Sequence, residues 1–101
     1  MHLNVLDTDE YDKVVKKNKI TNIIHLSALL SATAEQDLKK AVALNIVGVH
    51  DVMDIALHNN CSIYMPSSIA AFGPNSPLED TPDDCIMDPT TIYGISKVHL
   101  E

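Results

Sequence analysis

The sequence predicts an α/β chain on a doubly wound parallel sheet, with elements in the order β-α-β-α-β-loop-α. Three observations carry that prediction. Apolar runs of strand length lie at 3–6, 20–27 and 61–66. Segments with apolar residues every three or four positions separate them. Regular alternation of the two implies right-handed crossovers between parallel strands.

The first run, Leu3-Asn4-Val5-Leu6, reads as a strand that stops at Asp7-Thr8-Asp9, a helix N-cap signal. Residues 9–18 form a short amphipathic helix with Tyr11, Val14 and Val15 on one side. In 20–27 the near-continuous Ile23, Ile24 and Leu26 suit a strand buried on both faces. A small-residue segment, 27–33, leads to a single long helix over 35–58. Its predicted buried stripe is Leu38, Val42, Ile46, Val49, Met53 and Ala56, and His58-Asn59-Asn60 is its stop. The run 61–66 is the third strand, with Cys61 buried at its start. Residues 67–90 contain five Pro or Gly and no sustained period, so they form a long loop. Helical spacing resumes at Thr91 and continues to Glu101.

Composition excludes several classes. The net charge of -7 disfavours nucleic acid and anionic membrane as partners, since both need a basic face. No apolar run approaches the roughly 20 residues needed to span a bilayer. The N-terminus lacks the pattern of a signal or transit peptide. Cys61 and Cys85 have no metal-ligand spacing and read as free thiols. No metal site is expected.

A doubly wound dinucleotide-binding sheet opens with a Gly-rich turn against the pyrophosphate. Only Gly48, Gly73 and Gly94 are present here, too far apart to make that turn. Either the chain is not a dinucleotide binder, or it is a partial Rossmann-type domain over 1–101 that lacks the Gly-rich first βαβ unit.

The chemistry-bearing pattern is Tyr93-Gly94-Ile95-Ser96-Lys97. Four residues apart on a helix, a phenol and an ammonium share one face. A nearby cation favours phenolate, which suits proton removal from an alcohol. By itself this spacing is common on solvated helix faces. Ser67 and Ser68 directly follow a strand, where ligands of open α/β sheets sit; either is equally at home as a turn or cap serine. Asn45 falls inside the apolar stripe of the long helix, as a core amide bonded to backbone or water, or as an amide holding a water or the backbone beside a site. His25 reads as a satisfied structural histidine. Glu79, Asp80, Asp83, Asp84 and Asp88 read as solvated loop carboxylates.

Taken in order, five stretches resemble the extended short-chain dehydrogenases. They are Val5-Leu6-Asp7, His25-Leu26-Ser27-Ala28, Asn45-Ile46-Val47-Gly48, Ser67 through Gly73, and Tyr93 through Lys97. Leu26 through Ala32, Pro66 through Pro74 with Phe72 before Gly73, and Thr91 through His99 look like the L-threonine 3-dehydrogenase branch. The resemblance implies NAD as cofactor and L-threonine as the small-molecule substrate. Tyr93 would take the proton from the threonine β-hydroxyl, Lys97 would lower its pKa and bond the nicotinamide ribose, and Ser68 would orient the substrate hydroxyl. Ser31 would bind substrate. Asp7 would lie near the adenine, Leu26, Ser27 and Ala28 would pass along the cofactor, and Asn45 would support the cofactor side of the site. The resemblance further implies a homodimer in a longer parent and a mitochondrial location, otherwise a cytoplasmic one. The isolated chain is expected to be inactive. Two other readings stand beside this one: another extended short-chain enzyme acting on nucleotide-sugars, and a non-catalytic truncated product with an interaction role.

Overall fold

The computed structural model describes residues 1–101. Its elements are α1 (Thr8–Lys17), β1 (Asn22–Ile24), α2 (Ser31–Gln36), α3 (Leu38–Val42), a π turn (Ala43–Val47), α4 (Gly48–His58), β2 (Ser62–Tyr64), a 3-10 turn (Ile69–Ala71) and α5 (Ile92–Leu100). The two strands pair in parallel, with Asn22 opposite Ser62, Ile23 opposite Ile63 and Ile24 opposite Tyr64.

Local chemistry sets the helix ends. The Asp7 carboxylate accepts from Glu10 N at 3.0 Å and starts α1, with Asp9 and Glu10 in its first turn and Lys16 and Lys17 in its last. The same device ends α1 and α4. Lys19 (φ 52°) and Asn60 (φ 54°) turn left-handed. Ile20 N then reaches back to Val15 O at 3.0 Å, and Cys61 N to Ala56 O at 2.8 Å. Each of these Schellman turns points the chain directly into a strand.

The core lies on one face of the sheet. Tyr11 and Val15 of α1, Ile23 of β1, and Val52, Ile55 and Ala56 of α4 form it, with Leu3, Val5, Ile63 and Met65 packed at its edge. The opposite face is bare: Ile24 is 70 % exposed and Tyr64 is 61 % exposed. The strand at 20–27, expected to be covered on both sides, is therefore covered on one. It is also shorter than expected, because the ladder extends only where β2 faces it.

Residues 3–6 are not a strand. With no neighbouring strand to receive its backbone groups, this segment turns on itself, Asp7 N bonding Asn4 O at 3.0 Å and Leu6 N bonding Asn4 Oδ1 at 3.1 Å. The long helix begins earlier than expected and is not continuous. Asp37 leaves helical geometry (φ -140°, ψ 82°) and its carboxylate caps α3 through Lys40 N at 3.0 Å.

The π turn then rotates the buried stripe. Ala41, Asn45, Gly48, Val49, Val52, Ile55 and Ala56 point inward, while Leu38, Val42 and Met53 are exposed. By length and composition the run Leu38–His58 is apolar enough to cross a bilayer, a departure from the sequence expectation. It carries Lys39, Lys40, Asp51 and Asp54 and packs the inner face of α4 on the sheet, as a core helix does.

The loop 67–90 is held by polar staples. Ser76, buried, donates to Ile86 O at 2.6 Å and accepts from Gly73 N at 3.0 Å. Asp88, expected to be solvated, accepts from Asn75 N at 3.3 Å and Asn75 Nδ2 at 2.9 Å. Glu79, Asp80, Asp83 and Asp84 are exposed. Both cysteines are free; Cys61 is half-buried rather than buried, and its thiol donates to Ile20 O at 3.1 Å.

Candidate active site

Helix α5 is seated by three contacts at its N-terminal end. The Thr91 hydroxyl accepts from Gly94 N at 3.0 Å, and the Glu35 carboxylate of α2 accepts from Ile92 N at 2.6 Å. The third contact is steric. A Cβ on Gly94 would lie well inside contact distance of Ala70 O and 2.9 Å from Pro89 Cβ. Only glycine lets α5 approach the 3-10 turn this closely, and Ser68 and Tyr93 sit on the two sides of that approach.

Tyr93 and Lys97 occupy one face of α5. The Lys97 ammonium lies 5.6 Å from the centre of the Tyr93 ring, within cation–π range. It donates to Pro66 O at 2.7 Å, which ties it to the end of β2. Ser68 caps the 3-10 turn, its hydroxyl accepting from Ala70 N at 3.2 Å. The neighbouring Ser67 is exposed and bonds the Glu101 carboxylate.

Asn45 makes the most specific polar contact of the site. It is 4 % exposed. Its Oδ1 accepts from Leu29 N at 2.8 Å, and its Nδ2 donates to Leu29 O at 2.9 Å. The side chain thus bonds the backbone just after β1 as a neighbouring strand would. The same Nδ2 lies 3.5 Å from the hydroxyl of buried Ser96, which donates to Tyr93 O at 2.7 Å. Asn45 so connects the segment after β1 with α5. The π turn is where this amide is aimed inward, a frequent use of such turns.

Leu26, Ser27 and Ala28 run between two clefts. One is shared with His25, Asn45, Pro66, Ser96 and Lys97. The other, which Leu26 does not line, is shared by Ser27 and Ala28 with residues 2–6, Lys40 and Leu44. Leu26 is exposed and Ser27 and Ala28 are half-buried. Two expected site residues stand apart from the Tyr93–Lys97 face. Asp7 is exposed and caps α1, and Ser31 is the exposed first residue of α2.

Three contributors are not evident from sequence. Ser96 reads only as a motif spacer. Pro66 acts through its carbonyl, for which side-chain patterns give no signal. His25 is buried, at 6 % exposure, but is not satisfied: its Nε2 has no hydrogen-bond partner. Burial, and then the Lys97 charge, push its pKa below the ordinary histidine value.

The sequence and fold are similar to those of known proteins. The chain is 46% identical over 101 residues to the inactive L-threonine 3-dehydrogenase, mitochondrial, of Homo sapiens, covering all of this chain and 44% of that protein. It is 46% identical over the same length to the L-threonine 3-dehydrogenase, mitochondrial, of Bos taurus, covering 27% of it. The solved structure of the L-threonine dehydrogenase from Clostridium difficile superposes with a TM-score of 0.95 at 42% identity, over 99% of this chain and 31% of that one. The chain thus spans between about a quarter and under half the length of these relatives, and its fold is the matching part of a Rossmann-type α/β sheet. The model of the NAD dependent epimerase/dehydratase family matches residues 1–101, and the chain belongs to that family.

Proposed function

We propose that this chain supplies the proton-transfer part of an NAD-dependent L-threonine 3-dehydrogenase. The observation that carries the reading is the placement of Lys97: its ammonium is pinned at the carboxyl end of β2 and lies beside the Tyr93 ring. Ligands of open α/β sheets sit at these strand ends.

The residues present fit the nicotinamide end of the cofactor. Lys97 has three donors and spends one on Pro66 O, leaving others for ribose hydroxyls. Leu26, Ser27 and Ala28 form the strip along which the cofactor passes. Asn45 supports that strip through Leu29. Asp7, in the reading by resemblance, lies toward the adenine. No Gly-rich pyrophosphate turn occurs among residues 1–101.

Bound at this strip, NAD would supply the acceptor for the hydride of the substrate carbon. Tyr93, as phenolate, takes the proton of the threonine β-hydroxyl. Lys97 stabilises the phenolate by its charge. Ser68 turns its hydroxyl from the cap to the substrate oxygen, and Ser31 contacts the amino acid. The balance is L-threonine plus NAD giving 2-amino-3-oxobutyrate, NADH and a proton. The whole protein forms a homodimer, supported by apolar residues left exposed on α4 and α5, including Met53 and Ile95. It resides in mitochondria, as the names of the mammalian relatives say of those proteins.

The test is NADH formation from L-threonine by the whole protein that carries these residues. Y93F is expected to lower kcat by about 10²–10⁴-fold, the usual contribution of a positioned acid or base. Activity unchanged by Y93F would refute the assignment. A second reading, a non-catalytic product, is favoured by one observation. Identity to the human relative named inactive equals identity to the bovine enzyme. Absence of threonine turnover in the whole protein, with NAD bound, would select it.

A further inference from the structure

The C-terminal half of α5 grips the end of β2 at two successive residues. Lys97 donates to Pro66 O at 2.7 Å. One turn later, the Glu101 carboxylate accepts from the Ser67 hydroxyl. Glu101 closes the helix, its N–H bonding Lys97 O at 3.3 Å. Tyr93, Lys97 and Glu101 therefore follow one another along one side of α5. A carboxylate four residues from a lysine is within reach of an ion pair. None forms here, since the one ion pair of the chain joins Lys16 to Asp12. We infer that Ser67 is a positioning residue that holds Glu101 off Lys97, so that the ammonium keeps its free protons for the nicotinamide ribose.

Two magnitudes decide the competition. An exposed i,i+4 ion pair is weak, and weaker still with the lysine on the N-terminal side. A hydroxyl bond to a carboxylate is charge-assisted and stronger. Ser67 therefore keeps the Glu101 carboxylate while its hydroxyl is present. Without that hydroxyl, the partner within reach of Glu101 is Lys97. Lys97 has three ammonium protons and spends one on Pro66 O. A Glu101 pair would take a second. The other charged groups beside α5 stand clear of this exchange. Glu35 of α2 is held by Ile92 N at 2.6 Å, and His50 of α4 is bonded to His99 at 2.9 Å. Lys39 and Lys40 of α3 are exposed and belong to no ion pair. Buried His25, with its pKa depressed by burial and then by the Lys97 charge, is neutral at pH 7.5.

The inference rests on the reading of Lys97 as a ribose ligand, but its test needs no threonine. NAD is titrated into the whole protein by calorimetry at pH 7.5 and low salt. Ser67 and Glu101 are both exposed, so neither change burdens the core. S67A is expected to weaken NAD binding about two- to fivefold, the effect of competition by an exposed ion pair. E101Q is expected to bind NAD as the parent does. S67A/E101Q is expected to regain parent affinity, because the amide forms no ion pair with Lys97. High salt should likewise erase the S67A loss by screening the new pair. In crystals of S67A without NAD, a Glu101 carboxylate oxygen is expected within about 4 Å of Lys97 Nζ. Parent affinity in S67A would overturn the inference. So would a double variant as weak as S67A, the mark of a purely structural serine, and so would a whole protein that does not bind NAD. The proposed function fails separately. A protein that shows the affinity pattern yet does not oxidise threonine would refute that function and leave the role of Ser67 standing. One that oxidises threonine without the pattern would do the reverse.

Discussion

Gly94 shows how much a single residue constrains this site. Its absent side chain is what brings α5 against Ala70 and Pro89. Gly94→Ala is expected to destabilise the fold by about 1–3 kcal/mol, as overpacking does, measured as a shift of the urea midpoint with unchanged slope. His25 sets a pH dependence at the same scale. Its folded pKa lies below the ordinary 6.5, because burial and the Lys97 charge disfavour the imidazolium. The unfolded chain therefore binds the proton first. The associated stability is fully present above about pH 6.5 and drains away as the pH falls toward the depressed folded value. Urea midpoints are expected to fall from about pH 7.5 to 5.5, and H25Q should flatten that slope. Asp12 acts in a separate, more acidic window. Its bonds to Lys16 at 2.5 Å and Asn59 at 2.7 Å hold its pKa below 3.8.

At the scale of elements, the segment from Ser31 to His58 carries the most information. The apolar spacing predicts one uninterrupted helix, and the structure breaks it twice. Asp37 prefers to cap, since its carboxylate can satisfy Lys40 N. The π turn at Ala43–Val47 then lets Asn45 face inward and Val47 outward. Periodicity cannot register either event, because a π turn shifts the phase of the stripe without changing its composition. Asn45→Ala is expected to cost roughly 2 kcal/mol, since Leu29 N and Leu29 O both lose their partner. Chemical denaturation measures that cost. Hydrogen exchange at Leu29 should quicken with it, which ties the loss to this bond pair and not to helix propensity.

For the whole molecule, surface is the governing quantity. The chain exposes 6967 Å², against about 5,700 Å² for a compact monomer of its 11.1 kDa mass. Its radius of gyration is 15.2 Å, against about 13 Å for a compact domain of this length. A two-stranded sheet with one bare face is marginal by itself. Residues 1–101 alone are therefore expected to melt weakly and broadly. They are also expected to lack micromolar NAD affinity, having no turn for the pyrophosphate. Differential scanning calorimetry and isothermal titration check the two points. A sharp cooperative transition, or micromolar NAD binding by these residues, would contradict them.

The sequence by itself determined the alternation of strands and helices, the cap signal at Asp7, the helical spacing from Thr91, and the ordered stretches that place the chain in its family. These are local matters, legible because capping and apolar spacing act within a few residues. Tertiary structure alone decided that 3–6 is not a strand, since a strand exists only with a neighbour to bond. It also decided which face of 38–58 is buried and that Asp88 is a staple. Most of all, it decided what surrounds the Tyr93–Lys97 pair. Pro66 O, Ser96 and the unpaired His25 Nε2 lie far from one another in sequence, and only the packing of α5 across the ends of β1 and β2 brings them together.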